Sequence, residues 1–114
     1  MRLRDKKIIV TGGGSGFGAA MSRRFAAEGA KVLVADINGE AAARVAAEIG
    51  EAARPFVADV SRAEQVRAMV DEAVSAFGDL DCVVNNAGYT HRNMPLLDVD
   101  EAAFDHLLQT GELP

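Results

Sequence analysis

One short stretch of the sequence, VTGGGSGFGAA at residues 10–20, has the composition of a ligand-binding loop. Five of the seven residues at positions 12–18 are glycine, and they separate an apolar run from a segment with helical spacing. Where a strand turns into a helix, exposed backbone N–H groups and the positive end of the helix dipole favour a phosphate group. The stretch is therefore a candidate phosphate-binding loop, although an ordinary glycine-rich turn would have the same composition.

The glycines of this loop have separate predicted roles in binding a dinucleotide. Gly12 allows the tight turn, Gly16 lets a pyrophosphate approach without meeting a Cβ atom, and Gly18 lets the helix pack closely on a sheet. Asp36 follows Gly18 by 18 positions, close to the offset of about 20 residues at which a carboxylate binds the ribose hydroxyls. The alternative for Asp36 is a solvated carboxylate at the end of a strand.

The charge around Asp36 indicates which dinucleotide the loop would take. A carboxylate that accepts hydrogen bonds from the ribose hydroxyls repels a 2′-phosphate. No Lys or Arg follows Thr11 within the glycine loop, and none comes directly after Asp36, where Ile37 stands. The sequence therefore predicts a preference for NAD over NADP.

The elements that would position these residues follow from the apolar pattern. Short apolar runs of strand length alternate with longer amphipathic segments, which is typical of βαβ units. The predicted strands are residues 6–11, 31–36, 54–60 and 80–85, and the predicted helices are residues 16–30, 39–50, 61–77 and about 99–109. We expect one Rossmann-type α/β domain over residues 1–114, a doubly wound parallel sheet in the order 3-2-1-4 with helices on both faces.

The third predicted helix has a start signal and a buried stripe. Ser61 and Glu64 have the spacing of a capping box. The predicted stripe consists of Val66, Met69, Val70, Ala73, Val74 and Phe77.

The charge and hydropathy of the chain argue against several other classes of function. A net charge of -5 without a cluster of Lys and Arg argues against a nucleic-acid partner. The apolar run at residues 8–10 is too short for a signal peptide or a membrane span, so we expect a cytoplasmic protein without membrane contact. Cys82 is expected in the core, and no metal site is predicted because no third ligand stands at metal-site spacing between His91 and His106.

Two motifs give the sequence a family resemblance. Residues 11–18 match T-G-x-x-x-G-x-G and residues 85–88 read NNAG, so the chain resembles the short-chain dehydrogenase/reductase family to about residue 108. The resemblance implies that Asp59 and the backbone of Val60 contact adenine and that Asn86 lies near the cofactor ribose. Without it, NNAG has the composition of a turn after a strand. The predicted cofactor-binding residues are Gly12, Gly14, Ser15, Gly16, Phe17, Gly18, Asp36, Ile37, Asp59, Val60, Asn86, Ala87 and Gly88.

The catalytic residues that the resemblance implies have no counterpart in this sequence. The family uses a Ser that polarises the substrate oxygen and a Tyr-x-x-x-Lys pair that transfers a proton, whereas the single tyrosine, Tyr89, precedes Asn93 at that spacing. The last lysine is Lys31 and the last serine is Ser75. We therefore expect the NAD-binding portion of an oxidoreductase, truncated relative to the family. The alternative is a truncated scaffold or interaction protein that no longer binds nucleotide.

The predicted fourth strand, residues 80–85, leads to an expectation about partners. In the family a fifth strand and a helix cover this region, and both are curtailed in this sequence. The strand would then be an apolar sheet edge whose unpaired N–H and C=O groups form a template for another chain. We therefore predict a homo-oligomer formed through this edge or through the helix from about residue 99. Sedimentation over a dilution series measures this, and a monodisperse monomer at micromolar concentration contradicts it.

Overall fold

The computed structural model describes residues 3–85 and the backbone of residues 97–98. Strands and helices alternate along this part of the chain, which confirms the predicted βαβ pattern. The strands are β1 (Lys7–Thr11), β2 (Lys31–Asp36), β3 (Ala53–Val57), β4 (Cys82–Asn85) and β5 (Leu97–Asp98), and the helices are α1 (Gly16–Ala27), α2 (Gly39–Ile49) and α3 (Ala63–Phe77).

The strands form one parallel sheet in the order β3-β2-β1-β4-β5. β1 lies at its centre, with Ile8 paired to Val32 of β2 on one side and to Cys82 of β4 on the other. The chain proceeds outward from β1 to β3 and then returns to the opposite side of β1. The predicted order 3-2-1-4 is confirmed. This reversal opens a crevice at the carboxyl ends of β1 and β4, where doubly wound folds bind ligands.

Helices cover both faces of the sheet because its inner strands are apolar on both faces. One core cluster packs α1 and α2 on a face that includes Ile8 and Val10. The other packs α3 on the opposite face, which includes Ile9 and Leu33. The expected doubly wound Rossmann-type architecture is therefore confirmed.

The single cysteine behaves as a core residue. Cys82 is buried in the cluster that packs against α1 and α2. Burial, and to a smaller extent the nearby Asp81 carboxylate, raise the pKa of the Cys82 thiol to about 11. The side chain is thus a neutral thiol at physiological pH, and the prediction of core packing is confirmed.

Two predicted elements end three residues before the end of their predicted ranges. α1 ends at Ala27, and Gly29 follows with a φ of 102°, a left-handed value that interrupts a helix. β3 ends at Val57, three residues before the predicted position. Beyond it, the backbone N–H of Asp59 donates to the side chain of Gln65 at 2.7 Å, so this amide is not available for pairing with β2.

The predicted capping box of α3 is wrong. The N-cap residue is Arg62, whose side chain makes no capping hydrogen bond. The hydroxyl and the backbone N–H of Ser61 both donate to Asp59 Oδ1, at 2.6 and 3.0 Å. The charged carboxylate two residues upstream forms an Asx-type turn, and it engages the serine that would otherwise pair with Glu64.

The buried stripe of α3 is narrower than predicted. Val66, Met69 and Ala73 are buried, but Val74 is 44% exposed, so its predicted burial is wrong. At 100° per residue, Val74 lies about 80° round the helix from Val66, farther than any other member of the stripe. The partly buried members are Val70 and Phe77.

The prediction that the fourth strand is an unpaired sheet edge is wrong at the end of β4. Val84 and Asn85 pair in parallel with Leu97 and Asp98 of β5. These two positions of β4 therefore do not offer unpaired backbone groups to another chain. The predicted helix from about residue 99 lies outside the described residues.

Candidate nucleotide-binding site

The glycine loop leaves β1 at the point where β1 and β4 are joined by a buried polar contact. The hydroxyl of Thr11 donates to Asn85 Oδ1 at 3.1 Å and lies 3.3 Å from the carbonyl oxygen of Val84. Thr11 is completely buried and Asn85 is 8% exposed. The predicted site residues did not include this pair. The signal for it was present, because Thr11 opens the first motif and Asn85 opens the second.

The first half of the loop turns sharply and lies against protein. Gly12 has a φ of 63°, a left-handed value that suits glycine. At Gly13 a Cβ atom would lie 2.9 Å from the carbonyl oxygen of Val10 and 3.0 Å from Cγ1 of Val34. The backbone N–H of Gly13 donates to the carbonyl oxygen of Ala35 at 3.0 Å. The loop is thus seated on the ends of β1 and β2.

Gly14 is enclosed between Asp36 and the first turn of α2. Its backbone N–H donates to Asp36 Oδ2 at 2.9 Å. A Cβ atom at this position would lie 2.7 Å from the Cβ of Ala41 and 2.8 Å from the backbone nitrogen of Ala42. Glycine is required here for close packing inside the protein.

The second half of the loop faces open space. Gly16 has a φ of 56°, and among the described residues no atom beyond its chain neighbours and its own helix lies within 4 Å of the position that its Cβ would occupy. Ser15 and Phe17 on either side of it are exposed. Gly18 is buried in α1, where its carbonyl oxygen accepts a hydrogen bond from the Ser22 hydroxyl at 2.9 Å. The direction from which a ligand can reach the loop is therefore the Gly16 side.

The start of α1 differs from the starts of the other two helices. Its N-cap, Ser15, makes no side-chain capping hydrogen bond, and its first turn contains no acidic residue. In α2 the Asn38 side chain accepts a hydrogen bond from the backbone N–H of Ala41, and Glu40 lies in the first turn. α3 carries Glu64 in its first turn. The positive end of the α1 dipole thus has no negative side chain in its own first turn, which suits an anionic ligand.

Asp36 is half-buried, and both of its carboxylate oxygens are hydrogen-bonded. Oδ2 accepts from the Gly14 N–H at 2.9 Å, and Oδ1 accepts from the Asn38 N–H at 3.0 Å. Among the described residues, no basic side chain forms an ion pair with it. The alternative of a freely solvated carboxylate is therefore not what the structure contains.

Exposed apolar side chains and a second carboxylate stand near the ends of β2 and β3. Ile37 is 67% exposed and Val57 is 62% exposed, while Val60 is buried. Asp59 accepts the two hydrogen bonds from Ser61, and its Oδ2 lies 3.7 Å from Arg62 Nε.

The remaining predicted site residues, Asn86, Ala87 and Gly88, lie outside the described residues, as do Tyr89 and both histidines. Within residues 3–85, no group of three or more His, Cys, Asp or Glu side chains is placed to hold a metal ion. No helix of that part is long and apolar enough to cross a membrane.

One groove on this part of the surface lies away from the glycine loop. It has a volume of about 480 Å³ and lies between the carboxyl-terminal halves of α1 and α2, beside the ion pair of Arg23 and Glu48. The glycine loop lies at the other end of α1. We assign the site by the chemistry of the loop and of Asp36 because the groove holds no comparable set of groups.

Comparison with known proteins agrees with this geometry. A 4-formylbenzenesulfonate dehydrogenase of Comamonas testosteroni is 51% identical over 114 residues, covering 97% of this chain and 45% of that protein. A 2,5-dichloro-2,5-cyclohexadiene-1,4-diol dehydrogenase of Sphingobium indicum is 45% identical over 102 residues, covering 90% of this chain and 41% of that protein. This chain therefore spans less than half the length of these relatives.

A solved structure is similar in both fold and sequence. The 3-ketoacyl-(acyl-carrier-protein) reductase of Brucella melitensis, crystallised with NADH, has a TM-score of 0.74 and 45% identity, covering 91% of this chain and 43% of that one. Residues 6–111 match the short chain dehydrogenase family. The strand order, the glycine loop and this match lead to one assignment: the chain belongs to the short chain dehydrogenase family.

Proposed function

We propose that this chain is the NAD-binding portion of a nicotinamide-dependent oxidoreductase. The observation that carries the proposal is the glycine loop, which presents the first turn of α1 to open space beside the Asp36 carboxylate. Family membership and the NADH complex of the related reductase support the same class of cofactor. When bound, the nicotinamide ring supplies the group that accepts or donates a hydride.

The residues of this chain would hold the dinucleotide in four places. The first turn of α1, from Gly16 to Gly18, would bind the pyrophosphate through backbone N–H groups. Asp36 would accept hydrogen bonds from the adenosine ribose, and the surface around Ile37 and Asp59 would take the adenine. Asn86, Ala87 and Gly88 are proposed to contact the cofactor on the β4 side.

The fixed position of Asp36 is the reason to propose NAD in preference to NADP. Because two backbone amides hold the carboxylate, it cannot turn away from a 2′-phosphate without losing a hydrogen bond. Two negative charges close together repel each other, and within residues 3–85 no basic side chain pairs with Asp36 to offset the repulsion.

Calorimetric titration tests this preference. We expect NAD to bind at least about tenfold more tightly than NADP at low ionic strength, because the repulsion is only partly screened. Asp36→Asn removes the charge but keeps one oxygen acceptor, so the difference between the two dinucleotides should narrow. Equal or tighter binding of NADP by the unaltered chain contradicts the role of Asp36.

Substitution of Gly16 tests the pyrophosphate position. Gly16→Val places a branched side chain in the open space that the ligand would occupy, and we expect it to abolish NAD binding. The strain of a left-handed φ costs about 1–2 kcal/mol of stability by itself. Gly78→Val is the matched control, because Gly78 also has a positive φ of 85° and open space around it, but caps the far end of α3. Retained NAD binding by Gly16→Val would refute the assignment.

The reaction of the whole protein is proposed to be hydride transfer between NAD and a hydroxyl or carbonyl substrate. The two related proteins are dehydrogenases and the related structure is a reductase. The 114 residues themselves contain no Tyr-x-x-x-Lys sequence.

A polypeptide of these 114 residues is therefore expected to be inactive with NAD and secondary alcohols. It lacks the proton-transfer pair, whose contribution is about 100- to 10,000-fold in rate. The measurement is NADH formation by purified protein of verified mass. Turnover at the rate of a complete family enzyme would mean that another residue performs the proton transfer.

The alternative function is a scaffold or interaction protein that no longer binds nucleotide. The two proposals differ in the NAD titration, since a scaffold gives no binding heat and no stabilisation by the nucleotide. Assembly into a homo-oligomer and a cytoplasmic location stay predictions from the sequence.

A further inference from the structure

Asp36 connects three segments of the chain, which are β2, the glycine loop and the start of α2. It ends β2, its Oδ2 accepts from the Gly14 amide of the glycine loop, and its Oδ1 accepts from the Asn38 amide at the start of α2. Asn38 in turn caps α2 by accepting from the N–H of Ala41 at 3.1 Å. Ala41 lies against Gly14 so closely that a Cβ atom on that glycine would be 2.7 Å from its own Cβ.

These contacts form a closed ring that passes through Asp36, Gly14, Ala41 and Asn38. Two residues after Gly14 in the chain, Gly16 begins α1 and faces open space. A shift of Gly14 is therefore transmitted within two residues to the turn that would bind the pyrophosphate. Asn38 cannot replace Asp36 as the acceptor of the Gly14 amide without giving up a bond, because its Oδ1 accepts from Ala41 and its carbonyl oxygen accepts from Ala42.

We propose that Asp36 is a positioning residue for the glycine loop, and that it supports binding of the pyrophosphate, which it does not touch, as well as of the ribose. The inference rests on the proposed function for the identity of the ligand. The two roles are compatible because each carboxylate oxygen has two acceptor sites, and one site on each remains for a ribose hydroxyl. Cofactor binding thus does not require the ring to open.

The positioning role predicts the opposite change in anion affinity from the change that charge repulsion alone predicts. If Asp36 acted only through its charge, its removal would strengthen the binding of an anion to the adjacent loop. If it holds Gly14 in place, its removal weakens the binding of the same anion, because the amides of the α1 first turn lose their fixed orientation. Inorganic pyrophosphate is a suitable probe because it has no ribose and cannot form the other contact of Asp36.

The experiment compares Asp36→Ala, Asp36→Asn and Glu40→Ala with the unaltered chain. Glu40→Ala is the matched control: it removes the same charge from the exposed first turn of α2 without changing an acceptor of the Gly14 amide. Hydrogen exchange of the Gly14 amide is measured by NMR without nucleotide, relative to the Val34 amide of the core. Pyrophosphate binding is measured by titration of the same samples.

We expect Asp36→Ala to accelerate Gly14 exchange at least about tenfold and to weaken pyrophosphate binding several-fold, because the amide loses a charged acceptor. Asp36→Asn should give smaller effects, since its single oxygen can serve one of the two amides. Glu40→Ala should leave Gly14 exchange unchanged and bind pyrophosphate equally well or more tightly.

Unchanged Gly14 exchange in Asp36→Ala, or pyrophosphate binding by Asp36→Ala that is as tight as or tighter than that of the unaltered chain, overturns the positioning role. If Asp36→Ala does not fold, Asp36→Asn decides by the same criteria at smaller amplitude. Failure of the unaltered chain to bind either NAD or pyrophosphate overturns the proposed function instead, and Gly14 exchange still decides whether Asp36 orders the loop.

Discussion

The placement of β1 between β2 and β4 is the constraint on which the rest of this structure depends. The strand is paired along both edges, and its central residues Ile8, Ile9 and Val10 are at most 1% exposed. Because β1 is covered on both faces and paired along both edges, the chain can leave the sheet only where the strand ends. It must therefore turn immediately after Thr11. The glycine loop is the physical solution to that turn, and the same lack of side chains exposes the start of α1 to a ligand.

Polar contacts at the carboxyl end of the sheet keep this turn in one conformation. The buried polar residues of the described part are Thr11, Ser22 and Asn85, and no buried side-chain nitrogen or oxygen there lacks a hydrogen-bond partner. Thr11 connects β1 to Asn85 of β4, and Ser22 connects the second turn of α1 to Gly18. Because an unsatisfied buried polar group costs about 1–3 kcal/mol, these contacts oppose alternative arrangements of the loop. Glycine has little intrinsic backbone preference, but these contacts hold the glycine loop in one conformation before a ligand binds.

The sequence predicted the elements and their order well because these depend on local pattern and on general rules of topology. Apolar runs, helical spacing and the motif at residues 11–18 were sufficient to predict the parallel order 3-2-1-4. Predictions from the sequence fail where a residue outside the local pattern forms a hydrogen bond with the group that the pattern would use. Asp59 engages the Ser61 hydroxyl, and Gln65 takes the amide that would have extended β3. Val74 was assigned to the buried stripe although its angular position places it at the margin.

The sequence indicates the residue types of the candidate site, but it does not indicate the contacts that these residues make with one another. Spacing indicated Asp36 as a ribose ligand, yet nothing in the local pattern indicates that its carboxylate also binds Gly14, which lies 22 positions earlier. Thr11 and Asn85 are 74 positions apart, and their contact follows only from the pairing of β1 with β4. Long-range contacts of this kind require the fold before they can be recognised.

Because Gly14 packs closely on Ala41, the side chains that can be accommodated at these two positions depend on each other, although the positions are far apart in the sequence. The alanine-rich stretch of α2 looks like a segment in which many helix-forming residues would serve equally well. A Cβ at position 14 would lie 2.7 Å from the Cβ of Ala41, however, so position 14 has no room for a side chain while α2 stays in place. An evolutionary path that enlarges one side chain must first move the helix away from the loop, and would disturb the bond between Asp36 and Gly14 on the way. The first turn of α2, at Ala41 and Ala42, is thus constrained by the loop that it faces.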